Sequence, residues 1–329
     1  MKVLVTGADG FLGEHLVAEL LERGHDVAGS ALRLPPVRDT LTPEQVKRVD
    51  WKAADVRDHD ALVRLVAAMR PERIFHLAGF SSGARAREAA GTALMVNAGG
   101  TVNLCEAVLA VRDADPEFDP RIMVMGSGDA YGDAARDGVP LVEGMPLRPV
   151  SPYGLSKAAQ ELAAHTYRRA HGLRLFVMRS FNLVGPGQGS NFVVPDFCEQ
   201  VAEIAAGRRA ETELQVGNLD VERDFTDVRD GVAAICAVMD LVEPAAAYNI
   251  ASGSPIPVRR LLDWILDEAG VEAQIRVDAG KVRPGEPARI QGDAGRLRAD
   301  TGWRPRRPVE ESVREVYRWT LGRIPSGGT

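Results

Sequence analysis

A glycine-rich turn between a short strand and a helix constrains the fold of this chain more than any other feature. Val3–Val5 predicts the strand, and leucine and valine side chains at helical intervals predict a helix over residues 13–23. Between them, Gly7, Gly10 and Gly13 leave bare backbone at a helix N-terminus, where exposed N–H groups favour a phosphate. The pattern predicts a dinucleotide-binding βαβ unit; an ordinary glycine-rich turn is the alternative.

Strand-like and helix-like segments continue to alternate after this unit. Short β-branched runs are separated by longer segments with helical periodicity. Such alternation predicts an α/β fold with a Rossmann-type, doubly wound parallel sheet. The second predicted strand starts at residues 27–28, and the next ones are 49–53, 74–78, 122–125 and 173–178. The predicted helices are 58–69, 86–111 and 151–170.

The rhythm of the sequence changes after Arg179. Glycine- and proline-rich stretches such as Gly185–Gly189 interrupt it, and a further α/β pair over residues 227–250 is predicted to return to the first sheet. We therefore predict two interleaved domains. The dinucleotide-binding domain is 1–180 plus about 227–252, and the smaller α/β substrate-binding domain is about 181–226 plus 253–329.

Charge and cysteine content exclude several classes of function. Forty basic and 46 acidic side chains give a net charge of -6, the wrong sign for a nucleic-acid-binding surface. The three cysteines are far apart and form no C-x-x-C pair, so neither a disulfide framework nor a metal site is supported. No uncharged run reaches the roughly 18 apolar residues that indicate a membrane span. We expect a cytoplasmic protein without nucleic-acid, membrane or metal partners.

The end of the second strand bears on which dinucleotide the turn would bind. An Asp or Glu there hydrogen-bonds the adenosine ribose of NAD, whereas an Arg accommodates the 2′-phosphate of NADP. The stretch from Val27 to Leu32 contains no acid, and Arg33 follows it. We expect NADP(H), with Arg33 on the phosphate, and NAD(H) as the second choice; a solvated loop charge is the alternative for Arg33. Asp55 and Val56, after the third strand, would contact the adenine.

Tyr153 and Lys157 are four residues apart at the start of a predicted helix, so their side chains share one face. A phenol has a pKa of roughly 10, and a neighbouring ammonium stabilises the phenolate. We therefore expect the pKa of Tyr153 to be lowered. Ser127 follows a predicted strand at the sheet edge where α/β sheets bind ligands, and its hydroxyl can polarise a carbonyl beside the phenol. A solvated helix face is the alternative for the pair, and a turn or a helix cap is the alternative for Ser127.

With Ser127, Tyr153 and Lys157 in place, the sequence resembles the extended short-chain dehydrogenase/reductase family, also called the NAD-dependent epimerase/dehydratase family, across essentially the whole chain. The resemblance implies that these three residues are catalytic. It implies that Asn97, within a helix, supports the proton relay. The stretch from His76 to Gly79 would match a strand end of the family pattern, and we expect His76 to be a core residue without a catalytic role.

The same resemblance implies a cofactor site and an assembly. The helices over 86–111 and 151–170 would pair across a two-fold axis in a homodimer, although apolar stripes there could equally face the sheet. The implied cofactor-binding residues are Gly7, Gly10, Phe11, Leu12, Gly13, Arg33, Asp55, Val56, Leu77, Ala78, Gly79, Tyr153 and Lys157.

Four stretches resemble the GDP-sugar reductases and dehydratases of that family: 147–154, 179–188, 216–230 and 282–286. The implied substrate is a GDP-linked 4-keto-6-deoxy hexose. Two guanidinium forks could bind its diphosphate, because Arg matches phosphate oxygens in a bidentate way; for either arginine alone, a surface ion pair is the alternative. The implied substrate-binding residues are Ser81, Ser82, Asn182, Arg223, Arg283 and Glu286, with Arg283 on the diphosphate and Glu286 on a ribose.

Asp129 departs from the family pattern. Dehydratases of this family, and usually its reductases, carry Glu two residues before the position of Tyr131. The shorter Asp reaches less far towards a C5 proton of the sugar, which favours reduction over dehydration and leaves Asp129 to orient the substrate. We predict reduction of a C4 keto group by NADPH. A GDP-mannose 4,6-dehydratase, a nucleotide-sugar 4-epimerase and a non-catalytic NADP-sensing protein are the alternatives.

Overall fold

The structure, a computed structural model, describes residues 1–34, 36, 39–209, 212–282 and 285–324. Its strands are β1 (Lys2–Thr6), β2 (Asp26–Ala31), β3 (Asp50–Ala53), β4 (Arg73–His76), β5 (Arg121–Ser127), β6 (Leu175–Ser180), β7 (Asn182–Val184), β8 (Glu213–Val216), β9 (Glu222–Arg223), β10 (Phe225–Asp227), β11 (Ala247–Ile250), β12 (Ile256–Pro257), β13 (Gln274–Val277) and β14 (Arg289–Ile290). Its helices are α1 (Phe11–Glu22), α2 (Pro43–Arg48), α3 (His59–Met69), α4 (Gly83–Glu88), α5 (Ala90–Leu94), α6 (Gly100–Ala114), α7 (Pro152–His171), α8 (Val193–Ala205), α9 (Val228–Met239), α10 (Val258–Ala269), α11 (Gly295–Thr301) and α12 (Val309–Leu321).

The main sheet has seven parallel strands in the order β11-β6-β5-β4-β1-β2-β3. The chain builds outwards from β1 to β3 on one side and then crosses back to add β4 on the other. This confirms the predicted Rossmann-type sheet. Because the direction of building reverses between β1 and β4, the loops at their carboxyl ends diverge and leave a crevice there.

Helices cover both faces of the sheet. Side chains alternate between the faces of a strand, so Val3 and Val5 pack with α1 and α9 on one side, while Leu4 packs with α3 and α6 on the other. All three are essentially fully buried, as is usual in a parallel sheet. The carboxyl edge of the sheet therefore remains as the place where loops can build a site.

A further core lies beside the sheet and is built from α8, α10 and α12. Phe197, Leu261 and Val316 are buried in it, and β8 pairs with β13 at its edge. The division of the chain into domains stays a prediction. Leu297 and Trp303, which that prediction places in the second domain, pack in the core of the first sheet.

The helix predicted over residues 86–111 is not continuous. The structure has α4, α5 and α6 in its place, with a π-helical turn, Met95–Gly99, between α5 and α6. The backbone leaves the helical conformation at Ala89, between α4 and α5. Gly100 lies so close to Val56 that an added Cβ would be 2.7 Å from that side chain. Within the described residues, Ala90–Ala114 is the one helical stretch long and apolar enough to cross a membrane; here it is partly buried against α3 and α7.

Candidate active site

The glycine-rich turn joins β1 to α1 through close backbone contacts. A Cβ on Gly13 would lie 2.2 Å from the carbonyl oxygen of Gly7, and a Cβ on Gly7 would lie 2.7 Å from the backbone nitrogen of Ala78. Gly7 also has a φ of +68°, which L side chains rarely adopt. Gly10 begins α1 without a side-chain cap, which leaves the first amides of the helix for an anion. The turn fits the pyrophosphate of a dinucleotide.

His76 ties the ends of β1 and β4 together. It is fully buried, and its Nδ1 hydrogen-bonds the Thr6 hydroxyl at 2.8 Å, while that hydroxyl accepts the Ala78 N–H at 3.2 Å. Burial, with a smaller contribution from the charge of Lys157, lowers the pKa of His76 to about 3. His76 is therefore a neutral core residue that positions the strand end Leu77–Gly79 along the crevice.

Ser127 and Tyr153 come together at the carboxyl end of β5. Ser127 is the last residue of that strand, and Ser151 begins α7 by accepting the Gly154 N–H at 3.0 Å. Gly154 lies against the next turn, since a Cβ there would be 2.6 Å from the carbonyl oxygen of Asp129. This contact brings the phenol of Tyr153 within hydrogen-bonding reach of the Ser127 side chain. Ser127 also caps the turn after β5, accepting the Asp129 N–H at 3.2 Å.

The pKa of Tyr153 lies above its usual range. Burial is the largest cause, the negative charge of Asp129 raises it further, and only the hydrogen bond from Ser127 lowers it. The predicted lowering by Lys157 is wrong for this structure, because the phenolate would lose its water and face a carboxylate. Tyr153 is consequently a firmly protonated acid, ready to give up its proton only to a basic partner.

Lys157 is buried one helical turn after Tyr153. Its ammonium donates to the carbonyl oxygen of Met125 at 2.8 Å and to Oε1 of Gln160 at 2.9 Å. Burial lowers the pKa of Lys157 to about 7. An ammonium has three N–H donors, and the described residues provide no third acceptor, which leaves one donor for a ribose hydroxyl.

Asn97 lies inside the π-helical turn and connects three segments of the site. Its Oδ1 accepts the Phe80 N–H at 2.7 Å, and its Nδ2 donates to the Phe80 carbonyl at 3.1 Å and to the Ser156 hydroxyl at 2.8 Å. Gly79 lies between Asn97 and Lys157, where a Cβ would be 2.8 Å from Asn97 Oδ1. Asn97 thus positions the strand end after β4 against α7, and π-turns are common at such sites.

Gln160 and Thr101 also belong to this network, and sequence reasoning missed them. Gln160 accepts from Lys157 and donates to the Thr101 hydroxyl at 3.0 Å, which in turn donates to the carbonyl oxygen of Asn97 at 2.9 Å. Gln160, Thr101 and Asn97 are all almost fully buried. The position of Gln160, one turn after Lys157 on the same helix face, is the signal that could have identified it.

One of the residues predicted to bind the adenosine already pairs with another residue of the chain. Arg33 is exposed just past the end of β2, as its predicted role requires. Asp55 accepts both the backbone N–H and the guanidinium of Arg57, with 2.6 Å from Nη2 to Oδ2, and this pairing lowers the pKa of Asp55. Val56 is buried beneath α6. An adenine contact at Asp55 would be made by a firmly ionised acceptor and stays a prediction.

Two of the predicted nucleotide-binding residues form an ion pair with each other. Arg223 Nη2 is 2.6 Å from Glu286 Oε2, and Arg223 Nη1 donates to the carbonyl oxygen of Pro287 at 3.0 Å. Both ionic side chains are mostly buried. Arg283 lies outside the described residues.

The remaining predicted substrate residues have mixed surroundings. Ser81 is exposed, whereas Ser82 is buried and caps α4 by accepting the Arg85 N–H at 3.3 Å. Asn182 lies at the start of β7 and donates to the carbonyl oxygen of Asp224 at 2.9 Å. Their contacts to a hexose stay predictions. Among the described side chains, no group of three or more His, Cys, Asp or Glu could hold a metal ion.

Comparison with known proteins places the chain in a family. Residues 4–316 match the family model described as GDP-mannose 4,6 dehydratase. The chain is 32% identical to the GDP-6-deoxy-D-mannose reductase of Pseudomonas aeruginosa, over 96% of this chain and 95% of the relative. The chain belongs to the extended short-chain dehydrogenase/reductase family. This confirms the resemblance inferred from the sequence.

Solved structures of this family have the same fold. A structure of the protein named RMD from Pseudomonas aeruginosa, complexed with NADPH, superimposes with a TM-score of 0.83 at 31% identity and covers 98% of this chain and 100% of that one. A UDP-glucose 4-epimerase from Thermus thermophilus, complexed with NAD, has a TM-score of 0.83 at 29% identity, with the same coverage of 98% and 100%. The family fold therefore extends along nearly the whole chain.

Proposed function

We propose that this chain is an oxidoreductase that reduces the C4 keto group of GDP-4-dehydro-6-deoxy-D-mannose with NADPH and forms GDP-D-rhamnose. The observation that carries the proposal is the likeness to the Pseudomonas aeruginosa reductase over nearly the full length of both chains. The cluster of Ser127, Tyr153 and Lys157 offers the donors that a carbonyl reduction needs. A bound nicotinamide cofactor would supply the hydride for C4.

Tyr153 supplies the proton for the C4 oxygen. Its phenol enters the reaction protonated because burial and Asp129 raise its pKa, and the oxygen becomes a strong base as it gains negative charge. The Ser127 hydroxyl donates to the same oxygen and stabilises that charge. Lys157 would hold the nicotinamide ribose with its remaining N–H.

Lys157 is also suited to return a proton to Tyr153. Its pKa of about 7 lets it lose and regain a proton near neutral pH. Gln160, Thr101 and Asn97 keep the ammonium in place through the chain of hydrogen bonds that connects α7 with the π-helical turn. We infer that Asn97 supports the proton relay by helping to hold Lys157 in place through these contacts.

The preference for NADPH rests on the end of β2. Ser30 and Ala31 stand there in place of an acid, and Arg33 is exposed just beyond them, free of the sheet. An Arg at this position suits a 2′-phosphate. The complex of the Pseudomonas aeruginosa protein with NADPH supports this choice, and the epimerase complex with NAD keeps NAD(H) as the second one.

Arg223 and Arg283 would bind the diphosphate of the substrate, with Glu286 on a ribose. In the structure Arg223 is paired with Glu286, so the diphosphate would take the place of that carboxylate on the guanidinium. Ser81, Ser82 and Asn182 would contact the sugar and its phosphates.

A GDP-mannose 4,6-dehydratase is the second candidate, because the matching family model carries that description. It would use the same three catalytic residues but recycle its cofactor. Asp129, exposed beside Tyr153, stands where such enzymes carry the longer Glu, and this favours reduction. A 4-epimerase is the third candidate, because UDP-glucose 4-epimerases also match this chain in sequence and in structure. A non-catalytic sensor would have no use for the intact catalytic set.

One assay separates these functions. Purified protein is mixed with NADPH and either GDP-4-dehydro-6-deoxy-D-mannose or GDP-mannose, and absorbance at the nicotinamide band is followed together with the sugar products. The reductase consumes NADPH in proportion to the keto sugar. Conversion of GDP-mannose with NADPH untouched would contradict the proposal and identify a dehydratase or epimerase, and no conversion of either sugar would favour a sensor.

The nucleotide is tested separately by thermal stabilisation in the presence of NADPH. A ligand that binds only the folded state raises the melting temperature. We expect GDP to stabilise the protein more than UDP, dTDP or CDP. An equal or larger effect of UDP would contradict the GDP-sugar assignment.

We also propose a cytoplasmic homodimer. α5, the π-helical turn and α7 expose Leu94, Met95, Leu155 and Leu162, which are apolar side chains on the helices that the family resemblance assigns to a two-fold interface. Burial of these side chains against a second copy would remove them from water.

A further inference from the structure

Glu14 is a buried carboxylate to which the catalytic account gives no role. It lies in the first turn of α1, next to the glycine-rich turn, and is 3% exposed. A buried carboxylate is costly unless donors surround it. Glu14 has such donors, but they come from a distant segment of the chain rather than from an arginine.

The donors are consecutive residues in the connection between β2 and α2. Glu14 Oε1 accepts the Asp39 N–H at 2.8 Å, and Oε2 accepts the Thr40 N–H at 2.5 Å, the Thr40 hydroxyl at 2.7 Å and the Leu41 N–H at 3.2 Å. One side chain thus satisfies three backbone amides in a row. We name residues 39–41 the clamped segment.

Other contacts hold the clamped segment from the opposite side. Arg323, after α12, donates to the Asp39 carboxylate at 2.5 Å. Gly187 packs so closely on Thr40 that a Cβ there would be 2.8 Å from Thr40 Cγ2. The segment is therefore enclosed by α1, by the glycine-rich loop after β7 and by the end of the chain's last helix.

The clamped segment forms the end of the connection between β2 and α2, and Arg33 lies near the start of the same connection. The connection leaves the sheet at Ala31, which pairs with Ala53, and reaches α2 directly after residue 41. One end is therefore anchored by the sheet and the other by Glu14. Anchoring a loop before the ligand arrives reduces the ordering cost of binding.

We propose that Glu14 is a positioning residue for cofactor choice: by holding residues 39–41 it fixes one end of the stretch of chain that carries Arg33 and so limits where Arg33 can meet the 2′-phosphate of NADP. The inference rests on the proposed NADPH preference. Glu14 acts through the loop, because its carboxylate is occupied by the clamped segment.

Loss of the Glu14 charge and loss of its loop contacts would change the affinity for NADPH in opposite directions, so a binding measurement distinguishes them. A carboxylate beside a phosphate site repels the ligand, so removal of the charge alone would tighten NADPH binding. Loss of positioning would weaken it. Weaker binding by a neutral variant therefore identifies positioning.

The experiment measures dissociation constants for NADPH and NADH by nicotinamide fluorescence, without substrate. In Glu14→Ala the dissociation constant for NADPH should rise about tenfold, the equivalent of one lost charge-assisted hydrogen bond, and that for NADH about twofold or less. Glu14→Gln keeps one acceptor oxygen and should fall between Glu14→Ala and the parent. Glu22→Ala, an exposed position on the same helix, is the matched control and should leave both constants unchanged.

A double variant completes the test. If Glu14 acts through Arg33, then Glu14→Ala should cause no further loss of selectivity in an Arg33→Ala background. Two outcomes would overturn the role of Glu14 alone. In the first, the losses of selectivity in the two single variants add up in the double variant. In the second, Glu14→Ala keeps the parent's ratio of NADPH to NADH affinity, while Arg33→Ala loses its preference for NADPH. Equal affinity of the parent protein for the two cofactors would overturn the NADPH preference on which the inference rests.

Discussion

Burial determines the ionisation of the two central residues of the site. Tyr153 is kept protonated, and the pKa of Lys157 falls to about 7, because neither charge can be fully hydrated where it stands. These two pKa shifts suit the proposed mechanism, in which Tyr153 gives a proton to the sugar and Lys157 returns one to Tyr153.

Replacement of Tyr153 by Phe removes the proton donor and little else. We expect turnover of the keto sugar to fall by about 100-fold or more, which is typical for loss of a general acid. The dissociation constant for NADPH, measured by fluorescence titration, should change by about twofold or less. Activity equal to the parent would remove Tyr153 from its catalytic role.

Lys157→Met tests the lowered pKa through stability. Between pH 10.5 and about 7 the unfolded chain binds the lysine proton and the folded chain does not, so the parent loses stability as pH falls through this range. The variant lacks this loss. In urea unfolding, the free energy of unfolding of the variant minus that of the parent should therefore increase by on the order of 2 kcal/mol when the pH is lowered from 9 to 7. A difference that does not change with pH would show that Lys157 titrates normally.

The residue types of the site could be predicted from the sequence, but their ionisation could not. Spacing alone places Tyr153 and Lys157 on one helix face, and the strand end places Ser127 beside them. The pKa of Tyr153 depends on how much water reaches the phenol and on where Asp129 lies, and both follow from packing between α7 and the turn after β5. The sequence contains no local signal for either quantity.

At the scale of elements, the glycine-rich turn leaves no room for a Cβ at two of its three glycines. Gly13→Ala would place a Cβ against the carbonyl oxygen of Gly7, so the turn must open. We expect NADPH binding to be lost and the melting temperature to fall.

Gly91→Ala is the matched control for this prediction. Gly91 lies in α5 with open space around its position, and Ala favours a helix over Gly by about 1 kcal/mol. The control should bind NADPH like the parent and melt at the same or a higher temperature. NADPH binding by Gly13→Ala that matches the control would contradict the account of the turn.

Elements with a strong local pattern could be predicted, and those that depend on distant partners could not. β1, β4, β5 and the helix at Ser151 follow from apolar runs, caps and periodicity. The π-helical turn at Met95–Gly99 depends instead on contacts of Asn97 with Phe80 and Ser156. Strands as short as β9 and β14 form only as parts of a three-stranded sheet with β12. Local sequence does not encode such contacts.

At the scale of the whole molecule, the exposed apolar side chains of α5 and α7 predict a dimer. Leu155 and Leu162, 53% and 61% exposed, lie two turns apart on one face of α7. The double variant Leu155→Glu, Leu162→Glu should sediment as a monomer with an unchanged circular dichroism spectrum, because charges at an apolar interface are costly to bury. Val242→Glu, at a site 86% exposed after α9, is the control and should remain a dimer. A monomeric parent protein would contradict the assembly.

The net charge of -6 disfavours an extended nucleic-acid-binding surface but not a local site for a nucleotide. An acidic protein can bind anionic nucleotides where backbone amides and a few arginines are concentrated. The proposed function assigns this binding to the N-terminus of α1 and to Arg33 and Arg223. The charge still disfavours a phosphate-backbone binder, since such a surface needs an extended basic face.

The transfer of hydride from NADPH to C4 of the sugar is the central claim, and isotope labelling tests it most directly. The protein is incubated with GDP-4-dehydro-6-deoxy-D-mannose and NADPH that carries deuterium at the transferred position of C4 of its nicotinamide ring. The account predicts one deuterium at C4 of the product sugar for each NADPH consumed. Product without deuterium, or turnover of GDP-mannose with the labelled cofactor unchanged, would contradict it.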